Sequence, residues 1–170
     1  MRDVDPARRS LLAIARGVFR RATQGKMQRV QADLLARETR DMEYAEPYGL
    51  TSVPHDGAEV IAVAPGGNRS HLVAICVSDR RYRVQGLESG DVALYNDKGM
   101  VVTLGRETLT IEAPAGMEIV QRVGGVSATL SESGFAIQGG TVTHDGVNIG
   151  ATHVHGGVQP GDANTDVPVG

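Results

Sequence analysis

The sequence predicts an all-β chain with a short N-terminal helix, in which a small barrel is followed by an intertwined triple-stranded β-helix formed by three copies and closed by a metal-bound tip. Three observations carry that fold class. The 170 residues include 22 Gly, no Trp and only 4% aromatic residues, a composition suited to many tight turns rather than to a core of bulky rings. From Met27 onward the apolar positions fall in short runs with a period of two, the signature of half-buried strands. The last third offers apolar faces only two or three residues long, too little surface to offset chain entropy in a single copy.

Residues 1–26 are read as an N-terminal helix and arm. Between residues 4 and 24, Leu11, Leu12, Ala15, Val18 and Phe19 fall on one helical stripe with the arginines mostly opposite. Such a helix would pack on its own domain or on a neighbouring subunit. Its basic face alone is weak evidence for an anionic-membrane helix. Arg2, Arg8 and Arg9 ahead of Leu11 to Ile14 resemble the start of a secretion signal, but Arg16, Arg20 and Arg21 interrupt any apolar region. Folding in a reducing cytoplasm is therefore expected.

Residues 27–84 break into the runs MQRVQADLL, TRDMEY, AEVIAVA and SHLVAICV. Turn chemistry separates them at Pro47-Tyr48-Gly49, Pro54-His55-Asp56-Gly57 and Pro65-Gly66-Gly67-Asn68. About five short strands joined in this way suggest an OB-fold. A formal charge of −3 and scarce aromatics deny it the positive groove and stacking platform of a nucleic-acid binder, so no nucleic-acid partner is expected. Cys76 cannot form an intrachain disulfide, and within LVAICV it reads as a small, inert core residue. His55 and His71 read as ordinary turn or strand residues, and Tyr48 with Arg80-Arg81 as rim positions.

Residues 85–97 read as a linker. Between residues 98 and 150, Met100, Val102 and Leu104 share a face, as do Leu109, Ile111 and Ala113, then Met117 and Ile119. The pattern continues with Val126, Ala128 and Leu130, then Phe135 and Ile137, then Val147 and Ile149. No fixed solenoid period is visible, and three identical chains winding these faces around a common axis would bury them all.

Residues 151–170 form the expected tip. His153 and His155 stand two apart, so on an extended strand both imidazoles project to one side. Alone, such a pair marks exposed or hydrogen-bonded histidines more often than a metal site. Around a threefold axis three chains would supply six nitrogens, which suits octahedral iron better than tetrahedral zinc. Gly156-Gly157 allows a sharp turn next to it. His144, ahead of the Asp145-Gly146 turn signal, reads as structural. Asp162, Asn164 and Asp166 alternate as in a calcium loop but lack its glycine and distant glutamate, leaving a second ion such as calcium as a weaker expectation.

Taken in order, ARGVFRR, PYGLTSVPHDGAEVIAV, GGNRSHLVAI, DRRYR and GDVALYNDKG resemble the Mu-type phage baseplate assembly protein, the central tail spike, over roughly residues 8–115. The ending THVHGG is similar to the spike tips of that family and of baseplate assembly protein V of P2-like phages. The resemblance implies an N-terminal OB-fold that joins the baseplate hub and other tail proteins, and a homotrimeric triple-stranded β-helix tapering to a point. His153 and His155 would hold an iron ion on the axis, in a virion tail tip pushed through the host outer membrane when the sheath contracts. No catalytic residue is required, and the stretch from Tyr82 to Lys98 leaves no room for a lysozyme domain. Two rivals stand beside this reading. A cupin-like metalloenzyme also uses an H-x-H pair, but Gln159 occupies the place of its glutamate ligand and no later histidine follows. A baseplate adaptor without any piercing role is the other.

Overall fold

Alternation decides the first element. In the computed structural model, which describes residues 14–34, 38–154, 156, 157 and 161, Ile14–Thr23 is a strand, β1. This corrects the helical reading of that stretch; residues 4–13 of the expected helix lie outside the described residues. Ala15, Gly17 and Phe19 turn inward while Ile14, Arg16 and Val18 turn outward, and a bulge between Phe19 and Arg21 resets the phase so that Ala22 is again partly covered. The apolar spacing satisfies both templates over so short a span. The strand wins because β1 pairs on both edges, whereas Gly17, Val18 and Thr23 are poor helix formers. Gly17 is required by proximity: a Cβ there would stand 2.6 Å from the Asp33 carbonyl oxygen and 2.7 Å from Leu34 Cδ2.

β1 is one of five strands in a closed barrel. The others are β2 (Arg29–Leu34), β3 (Glu38–Tyr44), β4 (Glu59–Val63) and β5 (Val73–Ser78), in the order β1-β2-β3-β5-β4. Four ladders are antiparallel. The fifth, β3 with β5, is parallel and joins only Glu43 to Val73 and Tyr44 to Ala74. Closure removes both sheet edges and encloses a core in which Phe19, Val30, Met42 and Val60 are the largest fully buried side chains. Small residues such as Ala32, Ala62 and Ala74 lie among them, with Leu34, Leu72 and Tyr44, so that large and small side chains together fill a narrow barrel.

Cys76 is exposed, contrary to its reading as a core residue. The register of β4 against β5 slips between Ile61 and Ala62, whose partners are Cys76 and Ala74. Ile75 is therefore the extra residue of a bulge, and Ile75 and Cys76 both face outward while Ala74 is buried. A run of consecutive apolar letters conceals such a phase slip.

The chain divides into two units, Met1–Leu87 and Glu88–Gly170. In the second, β6 (Val92–Tyr95), β7 (Val101–Leu104) and β8 (Leu109–Glu112) form one antiparallel meander. A second meander consists of β9 (Ile119–Val123), β10 (Val126–Ser131) and β11 (Gly134–Gln138), and β12 (Thr143–His144) with β13 (Val147–Asn148) closes a short hairpin. β6 lies inside the stretch read as a linker. Its VALY sequence gains its strand partner from Val101–Leu104 across the Asn96–Gly99 turn.

Residues opposite one another on neighbouring strands share a sheet face. Val92, Leu94, Val102, Leu104, Leu109 and Ile111 consequently line one side of the first meander. In the second, Leu130 stands between Ile119 and Phe135, and Ala128 between Gln121 and Ile137, with Val123 opposite Val126 on the same side. The expected same-face sets are thus present where they fall within strands, while Met100, Ala113, Met117 and Ile149 lie just outside them. Yet no described residue from Glu88 onward is buried; Leu109 is 63% and Phe135 67% exposed. Among the described residues no helix is long and apolar enough to cross a membrane.

Candidate metal-binding tip and partner surfaces

The tip begins at the β12–β13 hairpin. Asp145 (φ 47°) and Gly146 (φ 79°) both adopt left-handed backbone, the Asp-Gly combination of a two-residue hairpin turn whose twist matches its strands. Ile149 N–H donates to the Val142 carbonyl at 2.8 Å and extends the hairpin by one pair. His144 sits on that hairpin, 3.7 Å from the Asp145 carboxylate and with both side chains in solvent.

Beyond the hairpin the chain folds back on itself. The Asn148 side chain accepts from Gly150 N–H at 2.9 Å and donates to Thr152 Oγ1 at 2.8 Å. The Gly150 carbonyl oxygen then receives two contacts from His153, the backbone N–H at 3.1 Å and Nδ1 at 2.6 Å. A carbonyl oxygen only accepts, so Nδ1 is the donor in this contact. Backbone carbonyls orient metal-binding histidines in this manner. His153 is thereby oriented at an exposed position, beside Val154 at 90% exposure. The glycine that follows at position 157 has φ 77°.

His155 and the oxygen-bearing Asp162, Asn164 and Asp166 lie outside the described residues. Among the described residues, no three His, Cys, Asp or Glu side chains gather into a metal-binding group within one chain. Sequence reasoning missed the supports of His153, namely Asn148, Thr152 and the Gly150 carbonyl. An Asn followed two residues later by Gly is a turn signal, but nothing in it announces the histidine it will hold.

The barrel histidines and rim residues are placed as follows. His55 packs against Tyr82, ring centroids 5.2 Å apart, and the Arg81 guanidinium lies 5.4 Å from the centre of the same Tyr82 ring. Arg81 also bonds the Asp56 carbonyl at 2.9 Å and the Asp79 carboxylate at 2.6 Å, so the chain leaving β5 is fastened to the 54–57 turn. Tyr48 is fully exposed. The guanidinium of Arg81 holds the Asp79 carboxyl below its ordinary range. Arg16 and Arg80 both meet Glu59, whose carboxyl is lowered chiefly by the Arg16 hydrogen bond. Thr39 donates to Asp33 at 2.6 Å and Arg20 pairs with it at 2.7 Å, and together they lower Asp33. These are fixed surface pairs rather than a catalytic constellation.

Comparison with known proteins fits this division of the chain. Residues 16–81 match the family described as Bacteriophage Mu Gp45, N-terminal, and residues 151–169 match the GpV Apex motif. The chain is 38% identical over 102 residues to the baseplate puncturing device gp45 of Escherichia phage Mu, covering 59% of this chain and 52% of that protein. It is 44% identical over 78 residues to the Mu-like prophage FluMu protein gp45 of Haemophilus influenzae, covering 46% and 41% respectively. The matched regions thus span about half the length of these curated relatives or less. A Gp45 N-terminal match over the barrel strands and an apex-motif match around His153 together support reading the chain as a Mu-type baseplate spike protein.

Proposed function

We propose that three copies of this chain form the central spike of a contractile phage tail baseplate. The barrel, as an OB-fold, would join the hub and other tail proteins, and the second unit would wind into a triple-stranded β-helix driven through the host outer membrane. The observation that carries this reading is the second unit itself, where two meanders and a hairpin display aligned apolar faces yet bury no described residue. Apolar faces of that extent are stable in water only when another surface covers them. Identical copies offer matching faces at matching heights. The name borne by the phage Mu relative, a baseplate puncturing device, agrees with a virion protein at the tail tip.

The tip would be tied by metal. His153 would turn Nε2 to the ion, with its ring oriented by the Nδ1 contact to the Gly150 carbonyl, and His155 would project to the same side on an extended strand. Two such nitrogens from each of three chains suit an octahedral iron ion. When bound, the ion would cross-link the three chain ends, and the rest of the task is stiffness, for which no catalytic group is required. A second ion such as calcium at Asp162, Asn164 and Asp166 is the remaining part of the reading.

Native mass spectrometry paired with elemental analysis of one sample tests the whole. Three chains carrying one iron is the expected species, with any calcium read in the same analysis. A metal-free trimer would remove the tip assignment and leave the spike, whereas a single chain would overturn the architecture. Replacing both His153 and His155 by Ala should abolish the iron and leave three chains together; iron retained in full stoichiometry would refute these ligands.

A further inference from the structure

The outside of the barrel has two unlike halves. On β2 and β3 the outward residues are Arg29, Gln31, Asp33, Thr39, Asp41 and Glu43, a wholly polar surface. Across the barrel, β1, β4 and β5 present a mixed face, in which Arg16 and Glu59 are paired and apolar residues gather toward the Ile14 end. Their register lays Ile14 beside Val63 and Val73, and Ile61 beside Cys76, all outward-facing, with Ile75 added by the bulge. Ile14 is 65% and Ile75 50% exposed. β4 is the middle strand of this half, and in the closed order it lies opposite the β2–β3 seam.

An antiparallel sheet that meets water on its outer side alternates apolar-in with polar-out. β2 and β3 obey this throughout, whereas β1, β4 and β5 depart from it at Ile14, Val18, Ile61, Val63, Val73 and Ile75 while keeping Arg16, Glu59 and Ser78 outward. We infer that the β1–β4–β5 face is covered by neighbouring copies of this chain, turned toward the axis of the three-copy assembly with the β2–β3 face toward solvent. The inference rests on the assembly reading above and locates the barrel's share of it.

Symmetry restricts how such a face can be used. A self-complementary patch pairs two copies and leaves a third unmatched, so three copies need a contact in which two different flanks meet. The apolar face supplies them, because Ile14 and Val18 lie on its β1 flank and Ile75 and Cys76 on its β5 flank, with Ile61 between. The β1 flank of one copy can then meet the β5 flank of the next, and three such contacts close. Because the barrel is continuous with the second unit in one polypeptide, copies joined there hold their barrels as tethered neighbours at about millimolar effective concentration. A modest apolar contact is then enough.

Cys76 is the only thiol in the chain and stands on the proposed contact, so the native protein carries its own reporter. On the intact chain, confirmed by native mass spectrometry as three copies, a small disulfide reagent should label Cys76 at least about tenfold more slowly than in urea. Ile75→Lys should restore fast labelling. In Val18→Cys, the new thiol and Cys76 of the same chain are separated by the whole of β4, about 9 to 10 Å between strand axes, too far for an intrachain disulfide. Mild oxidation should therefore yield covalent species of two and three chains. Three copies with Cys76 labelled as fast as in urea, and no covalent ladder from Val18→Cys, would overturn this inference and leave the spike assembly standing. Single chains in the mass spectrum would overturn the assembly reading and this inference with it.

Discussion

The barrel encloses Phe19, Val30, Met42 and Val60 almost completely, whereas the unit from Glu88 onward, of similar length and also built from antiparallel strands, buries no described residue. Strand chemistry does not separate them, since both alternate apolar and polar positions. Connectivity does. β1 pairs with β4 and β3 with β5 across long stretches of sequence, and those two ladders bend the sheet into a tube with an inside. In the second unit every ladder joins consecutive strands, so each sheet has faces but no interior. The first unit holds its own core, and among its described residues the second holds none.

The sharpest way to break this comparison is a charge on the apolar side of the second meander. Leu130 stands between Ile119 and Phe135. If its 51% exposure persisted in solution, Leu130→Lys would alter stability by no more than about 0.5 kcal/mol. The expected outcome is loss of the three-chain species in native mass spectrometry with the barrel still folded. In the barrel, Phe19→Ala should cost about 3–5 kcal/mol by denaturant unfolding, and the loss should not depend on protein concentration. Next comes Gly17→Ala, whose Cβ would press on the Asp33 carbonyl. It is expected to cost about 1–3 kcal/mol in the same measurement.

Acid titration probes a weaker layer. Asp33, Glu59 and Asp79 are all held below their ordinary carboxyl values, by Thr39 with Arg20, by Arg16 and by Arg81 respectively. A folded-state value below the unfolded one means that the stabilisation is complete above the ordinary carboxylate range and is lost as pH falls through and below it. The barrel's denaturation midpoint should therefore decline on acidification in that window. The decline should shrink in high salt, because the pairs are exposed and screened. The smallest effect is expected at Asp145, where Asn tolerates the left-handed backbone equally well. Asp145→Asn should leave the unfolding midpoint unchanged, within about 0.5 kcal/mol.

Turns and faces were the legible part of the sequence. Pro65-Gly66-Gly67 and Asp145-Gly146 announce their bends because glycine or Asp must supply positive φ there, and the face sets of the second unit follow from a period of two. What stayed hidden depends on pairing partners. Ile14–Thr23 reads as a helix until β2 and β4 flank it. Cys76 reads as buried until a one-residue slip in β5 turns it outward, and Val92–Tyr95 is too short to count as a strand before β7 pairs with it. At the tip, the spacing of His153 was visible, but the carbonyl that orients its ring comes from a fold-back at Gly150 that only coordinates reveal.

The neighbour-only pairing of the second unit also bears on how fast the parts form. Its hairpins need only close loops of a few residues, a step that takes about microseconds, so local registers can be set while the chain is still being made. The barrel must wait for Ile14 to find Val63, a search of the kind that slows β-proteins toward milliseconds or longer. In the proposed three-chain spike, assembly would then join strands whose registers are already written, and its rate should scale with chain concentration rather than with the barrel's own folding clock.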